Sequence, residues 1–189
     1  MALASVILIT GLAVFWGVSL RNVLKYRGTS VKNASETPIS IGFILALTGS
    51  LLLFAESLAL IALERTGNIY ILIGVPQIIG LCIFFIGCFL HAWSVATRGY
   101  YATSWSMRDN HKLVTEAPYN IVRHPSYLAY MLMILGVTLV WMKWFTLLPW
   151  IAIPGYIVVS KREDELLIER FGDQYRVYMK QVGAFIPRL

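Results

Sequence analysis

The sequence predicts an all-α integral membrane protein: five transmembrane helices, the last two forming a short C-terminal hairpin, then an amphipathic cytosolic helix, with no Rossmann domain. Three observations carry this. The 189 residues are 58% apolar and 14% charged, with a mean hydropathy of +0.68, more apolar surface than one soluble core of this size can bury. Apolar runs recur at lengths suited to ~30 Å of hydrocarbon, which takes roughly 20 helical residues to cross. The positive residues gather at the ends of those runs, on alternate loops.

The first span covers residues 3–20, the second 41–63 and the third 69–93, where Pro76 is early enough to kink the helix without stopping it. A long polar loop, 97–124, follows. Two shorter apolar pieces, 127–142 and 144–159, are separated by Lys143 alone. Sixteen residues at ~1.5 Å each reach only ~24 Å, so the pair reads as a tight hairpin whose second arm is bent by Pro149 and Pro154. From Lys161 onward Leu167, Phe171, Tyr175, Tyr178 and Val182 recur at three- and four-residue steps among charged positions, the pattern of a helix lying on protein or membrane surface. No repeat or low-complexity linker divides the chain. One domain, 1–189, is expected, with three spans in 1–96 and the loop, hairpin and C-terminal helix in 97–189.

The net charge of +6 flanks apolar runs and forms no stripe. It therefore reads as topology signal and contact with anionic lipid heads, and no nucleic-acid partner is expected. With the N-terminus outside, 14 of the 16 Lys and Arg residues fall on one face, leaving Arg65 and Lys143 opposite. That asymmetry places the polar loop and the C-terminal helix in the cytosol. No cleavable signal peptide is expected, because the first charge, Arg21, follows the apolar run. Cys82 and Cys88, six apart inside a span, read as buried small apolar residues with no metal-ligand company.

The stretch His111–Tyr130, HKLVTEAPYNIVRHPSYLAY, concentrates two histidines, three tyrosines, a lysine and an arginine between membrane spans. Pro125 suits the first position of a helix. The free N–H groups there would welcome an anion, such as an amino-acid carboxylate, beside Ser126 and Tyr127. Plain capping at a membrane interface fits the same residues. Glu163 heads the apolar stripe of the C-terminal helix and needs a cation or hydrogen-bond donors; Ser160 to Glu163 also fits a capping box. Glu56, inside the second span, is expected to be functional or paired. His91 reads as an interfacial hydrogen-bonding residue. The three histidines lack helical metal-site spacing, so no metal is expected. No G-x-G-x-x-G, Walker loop or G-x-S-x-G elbow occurs, so any nucleotide-like cofactor must sit among loops and helix ends.

These residues resemble the isoprenylcysteine carboxyl methyltransferase family and its relatives, the phospholipid N-methyltransferases among them. The likeness runs from His111-Lys112-Leu113-Val114-Thr115 through Tyr119, Arg123-His124-Pro125-Ser126-Tyr127 and Glu163-Asp164 to Phe171-Gly172, Tyr175 and Tyr178. Departures are Ala117 and Ala129 for family glycines, Gln181 and Gly183 for a terminal arginine and proline, and Val159 for an arginine. The resemblance implies S-adenosylmethionine as cofactor. His111, Lys112, Leu113 and Val114 would line its adenosine, Tyr119, His124, Pro125, Ser126 and Tyr127 would hold its ribose and methionine end, and Glu163 would face its positive charge. With Val159 in the arginine's place, Arg162 or Arg98 is left to hold a substrate carboxylate. The implied activity is carboxyl methylation of an isoprenylcysteine-like, lipophilic substrate. Three alternatives stand beside it: phospholipid N-methylation, an NADPH-dependent sterol-type reductase, and a non-catalytic lipid-binding protein.

Overall fold

The computed structural model describes residues 3–26, 40–69, 72–99 and 112–188. Among these it is helical, with one isolated bridge between Val122 and Gly183. The helices are α1 (Leu3–Lys25), α2 (Ile41–Arg65), α3 (Val75–Arg98), α4 (Pro125–Trp141), a 3₁₀ helix (Trp144–Ile151) leading into α5 (Ala152–Phe171), and α6 (Asp173–Gln181).

Four helical stretches are long and apolar enough to cross a membrane: α1, α2, α3 and the joined 144–171 helix. α4 is apolar but has only 17 residues, ~26 Å at ~1.5 Å per residue. Polar contacts fix the ends of the bundle. The backbone N of Ser5 donates to Glu64 Oε2 at 3.0 Å, tying the start of α1 to the end of α2. At the opposite end Arg98, closing α3, meets Glu163, late in α5.

Lipid offers helices no hydrophobic reason to associate, so close packing through small residues does that work. α3 packs most extensively on α4 and α2 on α5. A Cβ on Gly136 would sit 2.7 Å from the Gly80 carbonyl oxygen, and one on Gly155 2.6 Å from that of Gly42. Phe15, Leu53, Leu60, Phe84, Met133 and Val137 fill the centre.

The structure corrects four expectations. α3 starts at Val75, so Pro76 lies in the first turn and opens the helix where a kink was expected; a missing N–H costs nothing there. The second hairpin arm and the start of the C-terminal helix are one element, α5, which runs through Lys161 to Phe171 without a break. Ser160 and Glu163 are therefore mid-helix and form no capping box; the Ser160 hydroxyl donates to the Ile157 carbonyl. The chain breaks instead at Gly172, whose φ of +52° suits a residue without Cβ. Cys82 is exposed and Cys88 buried. His91 lies inside the bundle, stacked on Phe15 at 4.0 Å and hydrogen-bonded to Ser19 and Ser126.

Candidate functional site

α5 changes character at Lys161: its early turns face apolar helices, while the last three carry Glu163, Asp164 and Leu167 beneath the 112–124 segment. That segment is held over the bundle by Thr97, which donates to the Ala117 carbonyl at 3.0 Å, and by Tyr119, whose hydroxyl donates to the Ser94 carbonyl at 3.3 Å. From the other side α6 inserts Tyr175 and Tyr178; the Tyr178 hydroxyl donates to the Tyr119 carbonyl at 2.5 Å. The residues after α6 turn back, and the backbone N–H groups of Arg123 and His124 donate to the carbonyls of Gly183 (2.8 Å) and Ala184 (3.0 Å). Gly183 is required there, since a Cβ would collide with the Ile186 carbonyl at 1.9 Å.

These elements line a cleft that is partly open to its surroundings. Lys112, Leu113 and Val114 line one wall and Tyr119, His124 and Glu163 the floor, joined by Arg98. The structure thus brings seven sequence-predicted residues together. Pro125, Ser126 and Tyr127 are set back from the cleft. Pro125 starts α4, the Ser126 hydroxyl meets His91 Nδ1 at 2.9 Å, and Tyr127 stacks between His124 and Tyr156. Arg162 turns to solvent and pairs with Glu165 at 2.8 Å. His111 lies outside the described residues.

Arg98 Nη2 contacts Glu163 Oε1 at 2.8 Å, with both side chains buried, and its guanidinium lies 5.8 Å from the centre of the Tyr119 ring. The second Glu163 oxygen, Oε2, is buried and has no hydrogen-bond partner among the described residues. His124 Nδ1 is 3.7 Å from it, close enough for charge attraction and too far for a hydrogen bond. A carboxylate oxygen in that position is an acceptor waiting for a cation. His124 Nε2 meets Asp164 Oδ1 at 2.9 Å, and Arg123 Nη2 meets Asp164 Oδ2 at 3.0 Å. Burial alone would push the His124 imidazole down, but the hydrogen bond to Asp164 and the negative charges of Glu163 and Asp164 prevail and hold it above its ordinary range. Burial pushes the Tyr119 phenol up to about 12, so it stays a neutral donor. Among the described residues no group of three or more His, Cys, Asp or Glu could hold a metal.

Sequence reasoning placed Tyr175 and Tyr178 on an apolar stripe and in the family motif, and gave them, like Arg123 and Asp164, no role at the site. Both tyrosines line the cleft, as does Arg123; Asp164 braces His124 from behind. The available signal was an acid adjacent to Glu163, since two successive buried acids on one helix must find partners on two different neighbours.

Comparison with known proteins matches residues 75–174 to the family described as phospholipid methyltransferase. Among curated relatives, a protein-S-isoprenylcysteine O-methyltransferase of Tribolium castaneum is 30% identical over 117 residues, covering 58% of this chain and 41% of that protein. Protein-S-isoprenylcysteine O-methyltransferase B of Arabidopsis thaliana is 30% identical over 118 residues, 57% of each. The cobalt-zinc-cadmium resistance protein CzcN of Cupriavidus metallidurans is 36% identical over 107 residues, 51% of this chain and 46% of that protein. The chain spans about half the length of the curated relatives it matches.

Proposed function

The chain belongs to the phospholipid methyltransferase family, and from that membership we propose that it transfers a methyl group from S-adenosylmethionine to a lipophilic acceptor at the inner end of its helix bundle. The observation that carries this reading is the buried Glu163 Oε2, without a hydrogen-bond partner and facing a cleft lined by tyrosines. Such a site fits a compact organic cation, which gains from the carboxylate and from aromatic faces. S-adenosylmethionine supplies, when bound, a methyl group on a positively charged sulfur.

The chain's own residues then have separable tasks. Glu163 holds positive charge, and Tyr119, Tyr175 and Tyr178 wall the cleft against water. Leu113, Val114 and Leu167 offer apolar contact to a flat ring system. Arg98, anchored by Glu163 yet on the cleft wall, is the cation available to an incoming carboxylate. In methyl transfer to a carboxylate, an oxygen lone pair forms the new O–C bond as the C–S bond breaks, and its electron pair stays on sulfur. A carboxyl group of pKa ~3.5 is already ionised at neutral pH and needs no base. Catalysis would come from alignment and exclusion of water.

Carboxyl O-methylation of an isoprenylcysteine-like group is therefore the favoured reaction, supported by the names of two of the matched relatives. Phospholipid N-methylation would require an ammonium to lose a proton first. A methyltransferase family gives the NADPH reductase no support. The proposed topology has five crossings, α4 counted among them, with the N-terminus outside and the cleft facing the cytosol.

The test is to incubate membranes carrying the chain with methyl-labelled S-adenosylmethionine and either prenylcysteines or phospholipids. Label on prenylcysteine that mild base releases as methanol is the expected result. Base-stable label on a lipid amine would transfer the assignment to N-methylation, and saturable NADPH binding without S-adenosylmethionine binding would overturn both.

A further inference from the structure

Five charged side chains form one alternating row across the inner end of the bundle: Arg98, Glu163, His124, Asp164 and Arg123. Successive separations are 2.8, 3.7, 2.9 and 3.0 Å. The proposed function uses the first three. Asp164 does not line the cleft, yet its carboxylate collects three side-chain donors from two elements, the 112–124 segment and α6. Oδ1 takes His124 Nε2 and the Tyr175 hydroxyl, and Oδ2 takes Arg123. Arg123 donates in turn to the Val182 carbonyl. A buried ionic cluster is a poor way to gain stability, because apolar residues of the same volume commonly do as well. What this one does supply is direction, since an imidazole whose Nε2 is taken has only Nδ1 left to offer.

We propose that Asp164 is a positioning residue: it fixes His124 with Nε2–H engaged, so that Nδ1 alone faces Glu163 and the cleft, and the Nδ1 proton serves as the charge that a cationic ligand displaces. This rests on the cleft being the methyl donor's site. With the cleft empty, a protonated Nδ1 neutralises Glu163 Oε2 by attraction across 3.7 Å. A cation arriving at Oε2 takes over that role and repels the imidazolium, so a proton leaves Nδ1 for solvent. The demethylated product, S-adenosylhomocysteine, has a neutral sulfur and makes no such demand. The groups facing His124 are Glu163 and Asp164 from α5, Arg98 from α3, Arg123 from the preceding segment, Tyr127 from α4 and Tyr175 from α6. Phe185, 5.8 Å from the ring on the remaining side, brings no charge.

Histidine-selective ¹⁵N NMR of the full chain in detergent micelles reads the arrangement directly. The chain has three histidines, and His124→Gln identifies the relevant signal. As pH rises, the neutral ring is expected as the Nε2–H tautomer, and Asp164→Asn should move its titration down by at least one pH unit. A wild-type Nδ1–H tautomer, or a midpoint unmoved in Asp164→Asn, would overturn the proposal. Should Asp164→Asn fail to fold, the wild-type tautomer still decides.

Calorimetric affinities form the second arm. The preference for S-adenosylmethionine over S-adenosylhomocysteine should rise about tenfold across the His124 midpoint and become flat in His124→Gln. A ratio already flat in the wild type overturns the coupling. If neither ligand binds, the cofactor reading falls and the coupling with it, while the tautomer still judges the role of Asp164.

Discussion

Arg98 and Glu163 pair directly at 2.8 Å in a largely buried setting, and this decides what their substitution does. Removing one partner of such a pair costs ~3–5 kcal/mol because the other is left charged and unpaired. Glu163→Leu should therefore lower the melting temperature in detergent markedly. Arg98→Met combined with Glu163→Leu should recover most of the loss without restoring S-adenosylmethionine binding; a double variant no more stable than the single one would contradict the pairing. His124 sets a pH dependence. Its folded pKa lies above the unfolded value near 6.5, so its contribution to stability is complete below about pH 6.5 and is lost as pH rises through the folded pKa. Thermal unfolding followed from pH 6 to pH 9 should show wild-type stability declining over that upper range, and His124→Gln should lack the decline. A wild-type profile that rises with pH would contradict the assignment.

At the scale of elements, α5 and its junction with α6 shape the site. Gly172 adopts φ +52° and ψ −126°, a region nearly closed to residues with Cβ. Gly172→Ala should cost ~1–3 kcal/mol and displace Tyr175 and Tyr178, weakening cofactor binding; an unchanged affinity would show that α6 does not shape the cleft. α5 also marks where the sequence stops being legible. Apolar length and charge placement revealed α2 nearly to its ends, α1 without its last turn, and α3 displaced by more than a turn at both ends. Composition changes abruptly at Lys161, however, while the helix does not, so one rod reads as two. His124 and Glu163 stood out as polar groups where lipid or protein should be. The partnership of Asp164 with Arg123 and Tyr175 did not, because it depends on the rotational phase of an uninterrupted α5. Arg162 shows the same limit: it sits next to Glu163 in sequence, yet ~100° of helical turn per residue sends it to solvent.

Over the whole molecule, the bundle brings the end of α3, the start of α4 and the end of α5 to one pole, and leaves Glu64 and Lys143 at the other. In the proposed topology, read from the charge asymmetry, the first pole faces the cytosol. A single cysteine at Lys112 should thus resist impermeant reagents added outside intact cells, whereas one at Lys143 should react; the reverse pattern would invert the topology. The same convergence gives a site assembled without a nucleotide-binding sheet, from an inter-helix segment, one helix end and a terminal helix. The most direct test is equilibrium binding of labelled S-adenosylmethionine to the purified chain beside a Val114→Trp variant, whose added bulk occupies the cleft. The account requires saturable single-site binding to the wild type, displaced by S-adenosylhomocysteine and lost in the folded variant. Undiminished binding to Val114→Trp, or none to the wild type, would contradict it.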